Sequence, residues 1–513
     1  MNKKIGTAFW LITVVAAFIV LLNLGAIPLL DPDEPVYAQT PKEMLQTNDF
    51  VSPRIYGDYW YDKPPLYYWL VVLSFKLFGM SEFAARFPSA LLSVLCALTV
   101  YYSGKQLFNE RVGILGSLIL ITSIEYIYLG KAAVTDMTLT FFLTTCLLSF
   151  LQKRYYLFYI CAGLATLTKG PIGLLFPGGI VFIYFLLTKN FAEIKKMNLV
   201  TGILLTILFG LPWYFVMYNI HGYAFTETFL GFHNITRFTS PEHPELGVWY
   251  YYIPVLMIGF FPWTSLLIQS VWNSLRNSRE KAKTLLFLNI WAIFIFLFFT
   301  ASRTKLVSYI LPLYPPLAII VGWYIDRLWA NSLKQNRHIV WALFTLVITS
   351  LFVILMLWGV QAAPILQTNV VILSATLELL MLLVVYFLWN KQIGLAFGTK
   401  IATMTIVSVL LFTMIFPILA PNFTSYHIAQ TFKTHYDGKS DVYIAKFLRP
   451  GFSFYTDVYG SEITADNLSA TVNHVGRAYF ILSQTEYKRL SQPDRNKLRI
   501  LSNSADKLLL LRE

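Results

Sequence analysis

The fold class this sequence predicts is an all-α polytopic membrane protein with a small α/β domain at its C-terminal end. Three observations predict it. The 513 residues are 56% hydrophobic and only 13% charged, against about 25% charged in a soluble domain, so the chain cannot cover itself with polar surface. Apolar stretches recur thirteen times, near 8–30, 87–104, 112–130, 137–151, 155–168, 172–188, 198–220, 248–271, 284–300, 306–326, 339–359, 368–388 and 401–419. Beyond about residue 420 the chain turns polar.

The first run follows Met1-Asn2-Lys3-Lys4, exceeds the core of a signal peptide and has no small-x-small cleavage pattern after it. It reads as a retained first transmembrane helix. The stretch 66–79 is apolar but only 14 residues long and includes Lys76, which suits a helix lying along the bilayer surface. With 66–79 on the surface and the N-terminus cytoplasmic, Lys105, Arg111, Lys153, Arg154, the basic 273–283 loop, Lys391 and Lys400 fall inside, as the positive-inside bias asks. The membrane domain is then 1–420, with long outer loops at 31–86 and 221–247. Residues 421–513 form an outer domain, with strands expected at 441–446, 452–455, 478–482 and 507–511 and a helix from about Gln484.

The net charge of +13 does not signal nucleic acid, because no basic helix or RNA-binding motif accompanies it and topology accounts for the excess. Cys96, Cys146 and Cys161 lie inside apolar runs and read as small hydrophobes.

This topology puts Asp33, Glu34, Lys63, Asp136, Lys169, His233, Arg237, Arg303 and Lys305 on one membrane face, opposite the N-terminus. Charges near membrane depth are costly and mark function. Each also has a plainer role. Asp31-Pro32-Asp33-Glu34 can start a helix, and Asp31-x-Asp33 matches a short metal-binding pattern of nucleotide-sugar enzymes. Asp62-Lys63 precedes Pro64, which extends the backbone at Lys63, and such a lysine can snorkel to headgroups. The aromatics from Tyr56 to Trp69 can form an interfacial belt. Asp136 can cap the helix 137–151, and Lys169-Gly170-Pro171 can be a turn. His233 and Arg237 share a face if that loop is helical. Ser302-Arg303-Thr304-Lys305, followed by Tyr309, runs against the positive-inside bias, which makes it a better anion site. Carboxylates can take a proton from a hydroxyl, and Lys and Arg stabilise a departing phosphate. There is no phosphate-binding glycine loop, Ser-His-Asp signature or dinucleotide turn.

At these residues the sequence resembles the C-type glycosyltransferases that use polyprenyl-phosphate sugars, in particular the bacterial aminoarabinose transferase and protein O-mannosyltransferase superfamily. The matching pieces are Asp33-Glu34-x-x-Tyr37 with Glu43-Met44-Leu45, Lys63-Pro64-Pro65-Leu66-Tyr67-Tyr68-Trp69, Ala85-Arg86, Asp136, Thr168-Lys169-Gly170-Pro171, His233-Asn234-Ile235-Thr236-Arg237-Phe238, Pro262-Trp263, and Ser302-Arg303-Thr304-Lys305-Leu306 with Tyr309. They cover residues 1 to about 330. The resemblance implies a catalytic acid at Asp33, with Asp136 as a second essential acid; Glu34 is a further catalytic candidate. The resemblance also implies phosphate or site contacts from Lys63, Lys169 and Arg237, and a divalent metal held by Asp62 and His233; Arg303 and Lys305, as cations on the same face, and Tyr37 and Tyr309 are further candidates for the phosphate or the site. The implied donor is an undecaprenyl-phosphate sugar, and the acceptor is lipid A, another envelope glycan or an exported protein, at the outer side of a bacterial inner membrane. Two departures stand out: Val36 replaces an arginine of the aminoarabinose transferases, and Asp62 replaces a glutamate. The competing classes are a lipid transporter, which would line a midplane path with charge, and a non-catalytic scaffold.

Overall fold

The computed structural model describes residues 6–236, 248–277, 281–330 and 337–513. The chain forms two compact units. The first comprises the residues up to Leu22, Tyr61–Tyr67 and Pro88–Phe412; the second comprises Asn23–Trp60, Tyr68–Phe87 and Thr413–Glu513.

The helices in chain order are α1 (Thr7–Leu21), α2 (Asp33–Thr47), α3 (Leu66–Phe78), α4 (Glu82–Leu107), α5 (Glu110–Ile121), α6 (Ile124–Gly130), α7 (Thr135–Leu151), α8 (Tyr155–Lys169), α9 (Ile172–Thr188), α10 (Leu199–Gly210) and α11 (Pro212–Thr226). The bundle continues through Tyr252–Gly259, Thr264–Leu275, Ala282–Ala301, Tyr314–Ala330, Arg337–Gly359, Gln367–Trp389 and Ile393–Leu410. The chain is a multi-pass membrane protein. Among the described residues six helices are long and apolar enough to cross a bilayer, or nine if each pair bent at a break counts as one span. The apolar helices α1, α3, α7 and α9 are shorter, and the 13 residues of α3 rise only about 20 Å.

Two of the breaks satisfy each other. α5 and α6 meet at 69°, and Tyr252–Gly259 and Thr264–Leu275 meet at 109°. Ile124 N donates to Phe261 O at 3.3 Å, and Trp263 Nε1 donates to Thr122 Oγ1 at 3.0 Å. Backbone freed inside a membrane bundle has to be satisfied by such neighbours. Elsewhere small residues set the packing: a Cβ on Gly322 would lie 2.9 Å from Gly116 N, so α5 and Tyr314–Ala330 touch through backbone. Lys400, expected in an inner loop, lies instead within Ile393–Leu410 and is fully buried. Its ammonium donates to Ser265 Oγ at 2.9 Å and Thr345 Oγ1 at 3.3 Å, with the rings of Trp263 and Trp341 each 5.4 Å away. Hydroxyls and aromatic faces take the place of water there.

In the second unit, β1 (Arg54–Ile55) and β2 (Asp58–Tyr59) form an antiparallel hairpin. Its turn residues Tyr56 and Gly57 both have positive φ, as a two-residue hairpin turn requires. The Glu43 carboxylate accepts from Tyr56 N at 2.7 Å and Gly57 N at 3.0 Å. The C-terminal sheet has the order β4 (Ser461–Ile463), β3 (Asp441–Ala445), β5 (Ala478–Ser483), β7 (Lys507–Arg512), β6 (Leu498–Ser504). β3 pairs parallel to β4 and β5, while β7 runs antiparallel to β5 and β6. Its core includes Ile444, Phe452, Phe480, Ile481, Leu509 and Leu510. The expected strand at 452–455 is instead part of a helix, Arg449–Thr456. Parallel neighbours need a crossover connection, and this helix supplies the one from β3 to β4.

Gly322→Ala is expected to lower the melting temperature of the detergent-purified protein, because overpacking costs about 1–3 kcal/mol. Gly178→Ala, where a Cβ would meet nothing within 4 Å, is the control and should leave it unchanged.

Candidate active site

The acids of the first loop separate sharply. Asp33 is the first residue of α2 and is exposed. Glu34 is buried and held by Arg86. Arg86 Nε donates to Glu34 Oε1 at 2.8 Å and Nη2 to Oε2 at 2.6 Å, and Oε2 also accepts from Leu30 N at 2.9 Å. The remaining guanidinium hydrogens go to Leu24 O at 3.1 Å, Ile27 O at 2.8 Å and Pro28 O at 2.9 Å. All five donors of the arginine are used. Glu34, expected as a catalytic acid, is thus committed to this pair, and both its oxygens are occupied. Tyr37 packs against Tyr68, ring centres 6.2 Å apart, beside Met44 and Val72.

Asp31 is tied to the C-terminal segment of the same unit. Its N donates to Phe423 O at 2.7 Å, and its Oδ2 accepts from Ser425 Oγ at 2.5 Å. A Cβ on Gly451 would overlap Oδ1. Burial pushes the Asp31 carboxyl from 3.8 up to about 7, with the Ser425 hydrogen bond and the Lys507 charge pulling the other way.

In the first unit Lys169 Nζ meets Asp136 Oδ1 at 2.6 Å, both side chains largely buried, and lies 4.8 Å from the centre of the Tyr309 ring. The ends of α7 and α8 that carry this pair therefore lie together. Lys63 Nζ meets Asp62 Oδ1 at 2.8 Å. Arg303 is exposed. Lys305 is buried and donates to Phe299 O at 3.2 Å, Thr300 O at 2.7 Å and Ser302 O at 2.8 Å. Its three hydrogens cap the end of Ala282–Ala301, where the helix dipole is negative. Lys305, expected to bind phosphate, has no hydrogen left for one.

Arg237 and the side chain of His233 lie outside the described residues. Among the described residues no group of three His, Cys, Asp or Glu side chains stands close enough to hold a metal, and Asp62, an expected ligand, is paired with Lys63.

Two groups escaped the sequence reading. Glu125 lies buried at the start of α6, receives a hydrogen bond from Tyr314 OH, and leaves Oε1 without a hydrogen-bond partner. A lone acid inside the apolar run 112–130 was its signal. Lys131 donates to Ile19 O, Val20 O and Leu22 O, capping α1.

The fold matches that of solved C-type glycosyltransferases. The crystal structure of ArnT from Cupriavidus metallidurans bound to undecaprenyl phosphate aligns over 99% of this chain and 98% of that one, with a TM-score of 0.80 at 20% identity. The archaeal oligosaccharyltransferase AglB from Archaeoglobus fulgidus aligns over 94% and 70%, with a TM-score of 0.54 at 12% identity. The family model for dolichyl-phosphate-mannose-protein mannosyltransferases matches residues 62–215. An uncharacterized protein of Aquifex aeolicus is 33% identical over 62% of this chain and 73% of its own length. The undecaprenyl phosphate-alpha-4-amino-4-deoxy-L-arabinose arabinosyl transferase of Aeromonas hydrophila is 31% identical over 61% of this chain, and the chain spans 59% of that relative's length. The chain is similar in sequence to the aminoarabinose transferases and, over residues 62–215, to the protein mannosyltransferase family, and it shares the fold of the solved membrane glycosyltransferases.

Arg86→Met strands a buried carboxylate and is expected to cost about 3–5 kcal/mol of stability. The pair Arg86→Met with Glu34→Met should recover most of it, and a double-variant cycle of melting curves checks this. Asp31 adds a pH dependence. Its folded-state value lies above the unfolded one, so its contribution is fully present below about pH 4 and is lost as pH rises through about 7. The rise from 3.8 to about 7 corresponds to on the order of 4 kcal/mol. Wild type should lose stability from pH 4 to 8 relative to Asp31→Asn; parallel melting curves for the two would contradict this assignment.

Proposed function

We propose that this protein is a glycosyltransferase that moves a sugar from an undecaprenyl-phosphate carrier to an acceptor at the outer face of the bacterial inner membrane. The sugar is of the 4-amino-4-deoxy-L-arabinose kind and the acceptor is lipid A. The N-terminus is cytoplasmic, and residues 421–513 are extracytoplasmic. The similarity to the arabinosyl transferases supports the donor. The geometric observation that carries the chemistry is that Asp33 opens a helix and is exposed, whereas Glu34 is buried.

In this reading Asp33 takes the proton of the acceptor hydroxyl. The hydroxyl oxygen bonds to the anomeric carbon as the bond from that carbon to the phosphate oxygen breaks, through an oxocarbenium-like transition state, and the configuration inverts. Undecaprenyl phosphate leaves with the bonding pair. A phosphomonoester is already charged at neutral pH (second pKa about 6), so its departure needs cations more than an acid. Lys63, Lys169, Arg303 and Arg237 are the groups assigned to it. Lys63 and Lys169 reach the phosphate by exchanging a carboxylate partner, Asp62 or Asp136, for a phosphate oxygen. Asp136 holds Lys169 until then.

The mannosyltransferase model over residues 62–215 favours a second acceptor class, an exported protein or another envelope glycan, for the same reaction.

Asp33→Asn should be folded and inserted but slower in kcat by about 10²–10³, measured as transfer from undecaprenyl-phosphate aminoarabinose to lipid A in detergent. Activity within a few fold of wild type would remove Asp33 from the mechanism. Mass spectrometry of envelope lipids from a deletion strain should show lipid A without the aminosugar. An unchanged lipid A profile with a lost glycoprotein would move the reading to the second acceptor class.

A further inference from the structure

Pro32 precedes Asp33 and no side chain caps α2. Beside the contacts of Glu34 with Leu30 and Arg86, the C-terminal domain holds the start of the helix on both sides of Asp33. Upstream, Leu29 N donates to Tyr455 OH at 2.8 Å, and that hydroxyl donates to Glu82 Oε1 at 3.0 Å. Asp31 is gripped by Phe423 O through its N–H and by Ser425 through its carboxylate, with Oδ1 against the backbone of Gly451. Ser425 Oγ also lies 3.3 Å from Leu448 O. Downstream, Lys42 Nζ donates to Phe454 O at 2.8 Å and meets Asp457 Oδ1 at 2.7 Å. Residues 29, 31 and 42 are thus tied to one stretch of the C-terminal domain, 423–457, and Asp33 lies between the ties.

The grip at Asp31 differs from the others in kind. Its backbone and both carboxyl oxygens meet the domain within two residues of the exposed acid. A buried carboxyl held by Ser425 and the backbone of Gly451 is a costly choice for mere attachment. An apolar contact would attach the loop at lower cost but would leave the rotation of the backbone before α2 unset.

We propose that Asp31 is a positioning residue for glycosyl transfer: through Ser425 and Gly451 the C-terminal domain sets the backbone that aims Asp33. This rests on Asp33 being the reacting acid. Asp31 touches no substrate in this assignment. The C-terminal domain, which carries no catalytic motif of its own, contributes to the rate by fixing the first loop.

The test uses the full-length detergent-purified enzyme, with undecaprenyl-phosphate aminoarabinose as donor and lipid A as acceptor. Asp31→Ala, Asp31→Asn, Ser425→Ala and Asp33→Asn are compared per folded molecule, with the folded fraction taken from size-exclusion. A misaimed reacting group costs about tenfold to a hundredfold. Asp31→Ala and Ser425→Ala should lose that much in kcat while the donor KM stays within about twofold. Asp31→Asn keeps an oxygen to accept from Ser425 and should recover to within a few fold of wild type. A purely structural role would lower the yield and the melting temperature but leave kcat of the folded fraction alone, and that result would overturn the proposal. So would an Asp31→Asn variant no better than Asp31→Ala. If Asp31→Ala does not accumulate, Ser425→Ala carries the comparison. If Asp33→Asn is inactive while Asp31→Ala and Ser425→Ala match wild type, the positioning role fails and the assignment of Asp33 stands. If Asp33→Asn itself is active, the assignment of Asp33 fails.

Discussion

The bidentate pair between Arg86 and Glu34 is the constraint on which the first long loop depends. A buried charge left unpaired is costly, and a buried pair is tolerable only when every hydrogen and lone pair finds a partner. Here the guanidinium spends its five hydrogens on Glu34 and on the carbonyls of Leu24, Ile27 and Pro28. Those carbonyls belong to an irregular segment with no secondary structure to order it. One arginine thus does for residues 24–34 what a strand ladder does elsewhere. The loop gains one conformation, and Asp33 is delivered to the exposed start of a helix.

The same electrostatic rule sorts the cations of the first unit. Lys131 and Lys305 are both buried, and both spend their ammonium hydrogens on carbonyls at a helix end. Their positive charge meets the negative end of a helix dipole, and they belong to the scaffold. Lys63 and Lys169 each meet a carboxylate, Asp62 and Asp136, and Lys63 Nζ also lies 3.4 Å from Asp62 O.

Much of this was legible in the sequence. The bundle followed from the apolar runs, and the C-terminal domain from the change in polarity near residue 420. β3, β5 and β7 were visible because they are short apolar runs. β6 alternates too weakly and β4 is only three residues long, so neither stood out. The segment 452–455 has an aromatic alternation that reads as strand. The helix there is imposed by the crossover between parallel strands, which no local pattern encodes. In the loop the three acids were visible as a cluster but not as distinct groups. What separates them is contact with Arg86, 52 residues away, and with Ser425, 394 residues away. The roles of Lys305 and Lys400 were hidden for the same reason: a basic residue at the edge of an apolar run looks alike whether it faces lipid headgroups, a helix end or a pair of tryptophans.

The central claim of the proposal is that Asp33, exposed at the start of its helix, is the reactive acid of the first loop. Carbodiimide labelling of exposed carboxylates in the native protein, mapped by mass spectrometry against loss of transfer, tests it most directly. The account predicts that Asp33 is labelled in step with inactivation while Asp31 and Glu34 stay protected until the protein unfolds. Labelling of Glu34 or Asp31 in the folded protein, or full activity with Asp33 modified, would contradict it.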